Sequence, residues 1–118
     1  MNAELKQAWV DELRTTTVTQ GRAELFNPNA CTYCALGVLG LVLERRNEAA
    51  FLPDKDGDYY LVAPGAAISR YDLDYVPQSL TGLVTQEQNE VVRLNDRLQL
   101  PFPQIADWVE QNIPVTAT

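Results

Sequence analysis

The segment CTYCALGVLGLVLERR, residues 31–46, contains the longest apolar run of the chain and decides the predicted fold. Every residue from Ala35 to Leu43 is apolar or glycine, so a helix formed here has no polar face. A helix that is apolar all round lies in the middle of a protein, with other elements around it. The run is far shorter than the roughly 20 residues that a membrane-spanning helix needs. We therefore predict a central buried helix over about residues 32–45.

Two glycines in this segment, Gly37 and Gly40, indicate close contacts of the central helix. Each costs about 1 kcal/mol of helix stability relative to alanine. A glycine inside a helix usually has a packing reason, such as the close approach of a neighbouring backbone. We expect that neighbour to be the C-terminal helix or a β-hairpin.

Cys31 and Cys34 have the spacing of a redox pair or of half a metal site. A redox pair normally belongs to a βαβ pattern, whereas here a loop rich in proline and asparagine is predicted before the helix. A structural zinc ion needs four ligands, and the sequence has two cysteines and no histidine. We therefore favour two reduced, buried packing cysteines over a disulfide or a metal site.

Amphipathic patterns predict three further helices, over about residues 3–14, 86–94 and 102–112. Thr85 and Gln88 have the spacing of a capping box at the start of the second of these. Pro77 to Leu83 is typical of a single helical turn that stops at Gly82.

Two apolar and aromatic segments, residues 48–52 and 58–63, flank the sequence PDKDG and predict an antiparallel β-hairpin over about 48–63. The sequence DKDGD does not fit a calcium-binding EF-hand loop, because Tyr59 and Gly65 occupy the positions that need glycine and a carboxylate. Residues 63–71, APGAAISRY, fit either a third short strand or an irregular crossing. Together the patterns predict one α+β domain over residues 1–118, with about four helices arranged around the central one and a small inserted hairpin.

The chain is acidic, with a net charge of −7 from sixteen acidic and nine basic residues. Binding to a phosphate backbone needs clustered lysines and arginines, whereas the only adjacent basic pair here is Arg45–Arg46. We therefore predict no direct binding to nucleic acid. The acidic surface fits a basic partner or the mimicry of a nucleic acid, and the simpler alternative is that it keeps the protein soluble.

The N-terminal sequence MNAELKQAWVDELR, residues 1–14, is charged throughout and lacks the apolar core of a signal peptide. No other segment has the length of a membrane span. These features predict a soluble, cytoplasmic protein without a membrane partner.

The lack of histidine removes the commonest general base and excludes Ser–His and Cys–His nucleophile pairs within the chain. A hydrolase with two carboxylates stays open on composition, since Asp72, Asp74, Asp96 and Asp107 are available. Their spacing selects no pair. We therefore predict no catalytic residue, no metal and no cofactor, and favour a role that is not enzymatic.

Six motifs in a fixed order resemble those of a family of small proteins of unknown activity, found in tailed phages and in bacterial genomes that carry prophages. They are WVDELR (9–14), QGRAEL (20–25), CALGVL (34–39), LTGL (80–83), EQNEVVRLND (87–96) and FPQIADWVE (102–110). The resemblance covers nearly the whole chain, and its last two motifs are the most specific. The family often has a hydroxyl residue before the position of Phe102, where this chain has Pro101. The resemblance implies an accessory role in a phage or mobile element and no catalytic residue.

Two functional hypotheses follow. The first is a phage-type accessory protein that binds a host or phage protein in the host cytoplasm, for example as an inhibitor of a defence protein. The alternative is a small-molecule-binding protein that uses the crease between the hairpin and the terminal helix, and a carboxylate enzyme is a third possibility. The candidate ligand or partner contacts are Arg22, Arg70, Asn95, Asp96 and Trp108. The sequence does not predict an oligomeric state.

Overall fold

The computed structural model describes residues 1–66 and 75–116, which form five α-helices, one π-helical turn and two small β-sheets. In chain order the elements are α1 (Ala3–Thr15), β1 (Thr19–Gln20), β2 (Phe26–Asn27), β3 (Thr32–Tyr33), α2 (Ala35–Arg45), β4 (Ala50–Pro53), β5 (Tyr59–Val62), α3 (Gln78–Thr81), α4 (Thr85–Val92), the π-helical turn (Arg93–Arg97) and α5 (Phe102–Asn112). The predicted α+β fold class is confirmed. Within these two ranges no helix combines the length and the apolar character that crossing a bilayer requires. The predicted strand or crossing over 63–71 extends into residues outside the described ranges.

Helix α2 lies at the centre of the core, as its apolar sequence predicted. All nine residues from Ala35 to Leu43 are buried. The helix begins three residues later than predicted, because Thr32 and Tyr33 form β3 and Cys34 is the N-cap. Helix α1 packs beside it, and the fully buried Trp9 donates a hydrogen bond from Nε1 to the carbonyl of Ala35 at 3.0 Å.

The three-stranded sheet of β1, β3 and β2 was not predicted. Strand β3 lies in the middle, parallel to β1 and antiparallel to β2, with Phe26 opposite Tyr33. Each strand has only two residues, which is too short for an alternating pattern to be visible in a sequence. The prediction that only a loop precedes α2 is therefore wrong.

The predicted hairpin is confirmed, with β4 and β5 pairing antiparallel so that Phe51 lies opposite Leu61 and Leu52 opposite Tyr60. The Asp54 carboxylate accepts hydrogen bonds from the backbone of Asp56 at 2.8 Å and of Asp58 at 3.0 Å. The acidic turn therefore uses one of its carboxylates to fix its own backbone.

Helix α5 packs along α1 and has the predicted bounds. Arg14 of α1 forms ion pairs with Asp107 at 2.8 Å and Glu110 at 2.9 Å. Pro101 is the N-cap of α5 and contributes no side-chain hydrogen bond. As the sequence indicated, α5 therefore lacks the hydrogen bond that a hydroxyl side chain at the N-cap would accept.

The start of α4 is capped differently from the prediction. The N-cap residue is Val84, and its backbone nitrogen donates a hydrogen bond to the carboxylate of Glu87 at 3.0 Å. Because Val84 has no polar side chain, only this half of a capping box exists. The predicted pair was Thr85 and Gln88. Gln88 is instead fully buried. Its side-chain oxygen accepts a hydrogen bond from the backbone nitrogen of Val76 at 3.1 Å. Its side-chain nitrogen donates to the carbonyl of Val76 at 2.9 Å and to the carbonyl of Leu83 at 3.1 Å.

We expect Gln88→Ala to lower the free energy of unfolding by about 2–4 kcal/mol, because it leaves both backbone groups of Val76 without a partner in the core. Urea denaturation followed by circular dichroism measures the change. Gln86→Ala is the matched control, since Gln86 is exposed on the same helix, and it should change stability by less than about 0.5 kcal/mol. Equal effects of the two substitutions would contradict the structural role of Gln88.

Candidate functional site

Two neighbouring cavities of about 180 Å³ each adjoin the loop of residues 23–25. One lies between this loop and the hairpin, and the other lies between the loop, the end of α4 and the π-helical turn. They share a wall formed by this loop and Tyr75. We call the pair the tyrosine–carboxylate groove, because the part of the chain that the structure describes lines it with three carboxylates and three tyrosines. These are Glu24, Asp58, Asp96, Tyr59, Tyr60 and Tyr75.

One end of the groove is positioned by the π-helical turn, which directs Asn95 into the protein. The Asn95 side-chain oxygen accepts hydrogen bonds from the backbone of Ala35 at 3.1 Å and from the Gln20 amide at 2.8 Å. Its nitrogen donates to the carbonyl of Gly21 at 2.8 Å. Asn95 is 1% exposed, and so it is not the exposed contact residue that the sequence suggested. It joins β1, the start of α2 and the π-helical turn.

Of the predicted contact residues that the structure describes, Asp96 is the one that lines the groove. One carboxylate oxygen accepts from the Asn95 amide at 2.8 Å, and the other accepts from the backbone nitrogen of Ala23 at 3.1 Å. Ala23 has a positive φ of 67°, an uncommon conformation for a residue other than glycine. The hydrogen bond that Ala23 donates to Asp96 therefore holds a strained part of the groove wall in place.

The two other predicted contacts within the described residues, Arg22 and Trp108, do not line the groove. Arg22 is exposed beside the groove, between Gly21, which bonds Asn95, and Ala23, which bonds Asp96. Its side chain forms no hydrogen bond or ion pair with the described part of the chain. Trp108 lies half-buried on α5, packs against the core and does not line the groove. Arg70 lies outside the described residues.

An aromatic cluster supports the groove at its hairpin end. Phe26 stacks on Tyr33 with ring centroids 4.7 Å apart and contacts Phe51 at 5.3 Å and Tyr59 edge-on at 5.2 Å. All four rings are half-buried. The four rings join the two sheets. Through its contact with Phe26, the cluster positions Tyr59, which also lines the groove.

The hairpin end of the groove lies in a negative electrostatic environment. The pKa of Tyr60 is raised, first by desolvation and then by the charges of Asp54, Asp58 and Asp56. No lysine or arginine is among the lining residues that the structure describes. A tyrosine ring face with carboxylates nearby is suited to a cation.

The residues of the groove were largely missed by sequence reasoning. Glu24, Asp58, Tyr59, Tyr60 and Tyr75 belong to three separate segments that meet only in the folded chain. The aromatic pair Tyr59–Tyr60 directly after an acidic turn is the only local signal that could have indicated a site.

The two cysteines have different environments. Cys34 is buried, its sulfur accepts from the backbone nitrogen of Gly37 at 3.4 Å, and burial raises its pKa to about 11. Cys31 is exposed in the turn between β2 and β3. Both are free thiols, as predicted, but the predicted burial of Cys31 is wrong because the unpredicted strand pairing places it at a turn. The raised pKa of Cys34 does not suit redox chemistry, which depends on a thiolate.

We expect only Cys31 to react with a thiol reagent such as dithionitrobenzoate in the native protein at pH 8. With a pKa of about 11, only about 0.1% of Cys34 is thiolate at that pH, and the side chain is also buried. Both thiols should react in denaturant. Cys31→Ser should abolish the native reaction, and rapid native labelling of this variant would show that Cys34 is accessible.

The two described carboxylates of the predicted set, Asp96 and Asp107, have separate partners. Residues 1–66 and 75–116 contain no group of three or more side chains placed to hold a metal ion. Asp107 is exposed in its ion pair with Arg14, and Asp96 bonds the backbone. Asp72 and Asp74 lie outside the described residues.

Comparison with known proteins gives one family and no annotated relative. A family model for DUF8296, a domain of unknown function, matches residues 1–113. Searches of curated proteins and of solved structures found no significant match. The matched range includes all of the elements described above.

Proposed function

The chain belongs to the DUF8296 family, whose description assigns no activity, and we propose that it is a non-enzymatic module that binds another protein. The observation that carries the proposal is a group of partly exposed aromatic side chains on the hairpin and at Tyr75. Tyr59 links the aromatic cluster to the groove, Tyr60 lies opposite the exposed Leu52, and Tyr75 is 44% exposed. Aromatic side chains are enriched in protein interfaces, and exposed apolar patches often mark them.

The alternative of a small-molecule-binding protein has less support. Each of the two cavities has a volume of about 180 Å³, and only both together reach the lower end of the range of about 300–1,000 Å³ that is typical of pockets for drug-sized ligands. Among the described residues that line the groove, hairpin residues border one of its two cavities, and none belongs to the terminal helix of the predicted crease. The size of each cavity suits individual side chains of a larger partner.

An enzymatic role also has less support. The sequence contains no histidine, and no carboxylate in residues 1–66 and 75–116 is fully buried. A carboxylate pair that divides the work of acid and base needs environments that separate the two pKa values. Exposed carboxylates such as Glu24 and Asp58 share a solvated environment.

The setting that we propose is an accessory role in a phage or prophage, as the resemblance of the six motifs implies. The partner is then a host or phage protein in the cytoplasm of the host cell, and inhibition of a defence protein is one concrete form. The net charge of −7 favours a partner with a basic surface.

The test is affinity capture from host cells with the whole chain and two double variants. Leu52→Ser with Tyr75→Ser removes exposed apolar side chains from the proposed surface, one on the hairpin and one in the groove. Val84→Ser with Leu98→Ser removes similarly exposed ones that belong to neither the hairpin nor the groove lining. We expect a stoichiometric partner with the parent chain and the control, and at least about a tenfold loss with the surface variant. Failure to recover any stoichiometric partner, or equal recovery by all three chains, would overturn the proposal.

A further inference from the structure

We propose that the tyrosine–carboxylate groove binds an arginine- or lysine-bearing segment of a partner protein, with the cationic side chain seated between tyrosine rings and carboxylates. The inference rests on the proposed protein-binding function and adds the site and the chemistry of the partner.

The charge of the groove is available for a partner. The carboxylates of Glu24 and Asp58 are exposed, and they accept no hydrogen bond and form no ion pair within the described part of the chain. Asp96 adds a third negative charge at the other end, although its oxygens already bond Asn95 and Ala23. Arginine and lysine form charge-assisted hydrogen bonds to such carboxylates, and arginine can bond both oxygens at once.

The tyrosines distinguish the groove from an ordinary acidic surface. Tyr59, Tyr60 and Tyr75 line the same cavity as Glu24 and Asp58. Aromatic faces attract cations through the ring quadrupole, and arginine also stacks on them. Neutral side chains gain no cation–π attraction and lack the charge that strengthens a bond to a carboxylate, and acidic side chains are repelled, so the combination favours a cation.

The groove is partly preorganised for this contact. Tyr59 is held by the edge-on contact with Phe26, and the loop of residues 23–25 is held by the hydrogen bond that the backbone nitrogen of Ala23 donates to Asp96. A site whose walls are fixed before binding loses less conformational entropy on association. The two small cavities side by side suit an extended segment that places successive side chains in them.

The test measures binding of fluorescent glycine–serine peptides that differ only in carrying two arginines or two citrullines. Citrulline keeps the shape of arginine and lacks its charge. We compare the parent chain with Glu24→Gln/Asp58→Asn and with the control Glu44→Gln/Glu48→Gln, whose carboxylates are exposed and do not line the groove. Both double variants remove two negative charges from the parent value of −7, so they share a net charge of −5.

We expect the arginine peptide to bind the parent and the control within about twofold, and the groove variant at least about tenfold more weakly. The citrulline peptide should not bind, and Tyr75→Leu should weaken binding of the arginine peptide by about threefold. Equal weakening by the two double variants would show attraction to net charge only and would overturn the proposal. So would the absence of binding to the parent up to about 1 mM peptide.

The two proposals fail in different ways. If the arginine peptide does not bind while partner capture still depends on Leu52 and Tyr75, the groove assignment is wrong and the binding function stands. If the peptide binds and no protein partner is captured, the groove assignment stands and the protein-binding function is wrong.

Discussion

Gly37→Ala should destabilise the protein by at least about 3 kcal/mol or prevent it from folding. A Cβ atom at this position would lie 1.9 Å from the carbonyl oxygen of Leu25. That oxygen belongs to the backbone and accepts a hydrogen bond from Cys34 at 3.2 Å, so it cannot move without breaking the contact between the loop and α2. The gain of about 1 kcal/mol in helix propensity on replacing glycine by alanine is too small to offset this.

Gly40→Ala is the matched control, since it makes the same substitution one turn along the same helix. Its Cβ would lie 2.6 Å from Cζ of Phe51 and 3.1 Å from Cδ1 of Leu61, which are the ends of side chains. Side chains can shift, and so we expect a smaller change, within about 1.5 kcal/mol. Urea denaturation of both variants measures the difference. A Gly37→Ala chain as stable as Gly40→Ala would show that Leu25 does not approach α2 as described.

The two glycines also show how far the sequence predicted the core. Their presence in an apolar helix correctly indicated that neighbours approach closely, and the hairpin is the neighbour of Gly40. The neighbour of Gly37 is Leu25, in a segment that was interpreted as a loop. A glycine shows that space is needed and does not show which part of the chain fills it. That information depends on pairing between two-residue strands, which have no periodicity to detect.

The candidate site was less predictable than the fold for a related reason. Helices α2 and α5 have long apolar patterns, and each lies where its pattern placed it. The groove is lined by short pieces of the loop before α2, the hairpin, Tyr75 and the π-helical turn. Such pieces meet only through tertiary packing. Asn95 and Asp96 were both candidate contacts, and only the structure shows that Asn95 is buried whereas Asp96 lines the groove.

We expect Asn95→Ala to lower the free energy of unfolding by about 3–5 kcal/mol, because the side chain joins three separate segments inside the protein. Its loss leaves the nitrogen of Ala35 and the carbonyl of Gly21 without their partners. Ala35 is the first residue of α2, where a backbone nitrogen has no acceptor within the helix. Asn89→Ala is the control, because Asn89 is exposed on α4, and it should cost less than about 0.5 kcal/mol.

Amide hydrogen exchange distinguishes this role of Asn95 from a general contribution to packing. In Asn95→Ala, exchange at Ala35 should accelerate because its acceptor is gone, and exchange at Ala23 should accelerate because Asp96 loses the amide that orients it. The nitrogen of Gly21, which donates to the carbonyl of Tyr33 at 2.7 Å, keeps its acceptor and should be less affected. Equal acceleration at all three amides would mean that the whole region loosens. Selective loss at Ala35 and Ala23 would show that one buried amide sets both the start of the central helix and the wall of the groove.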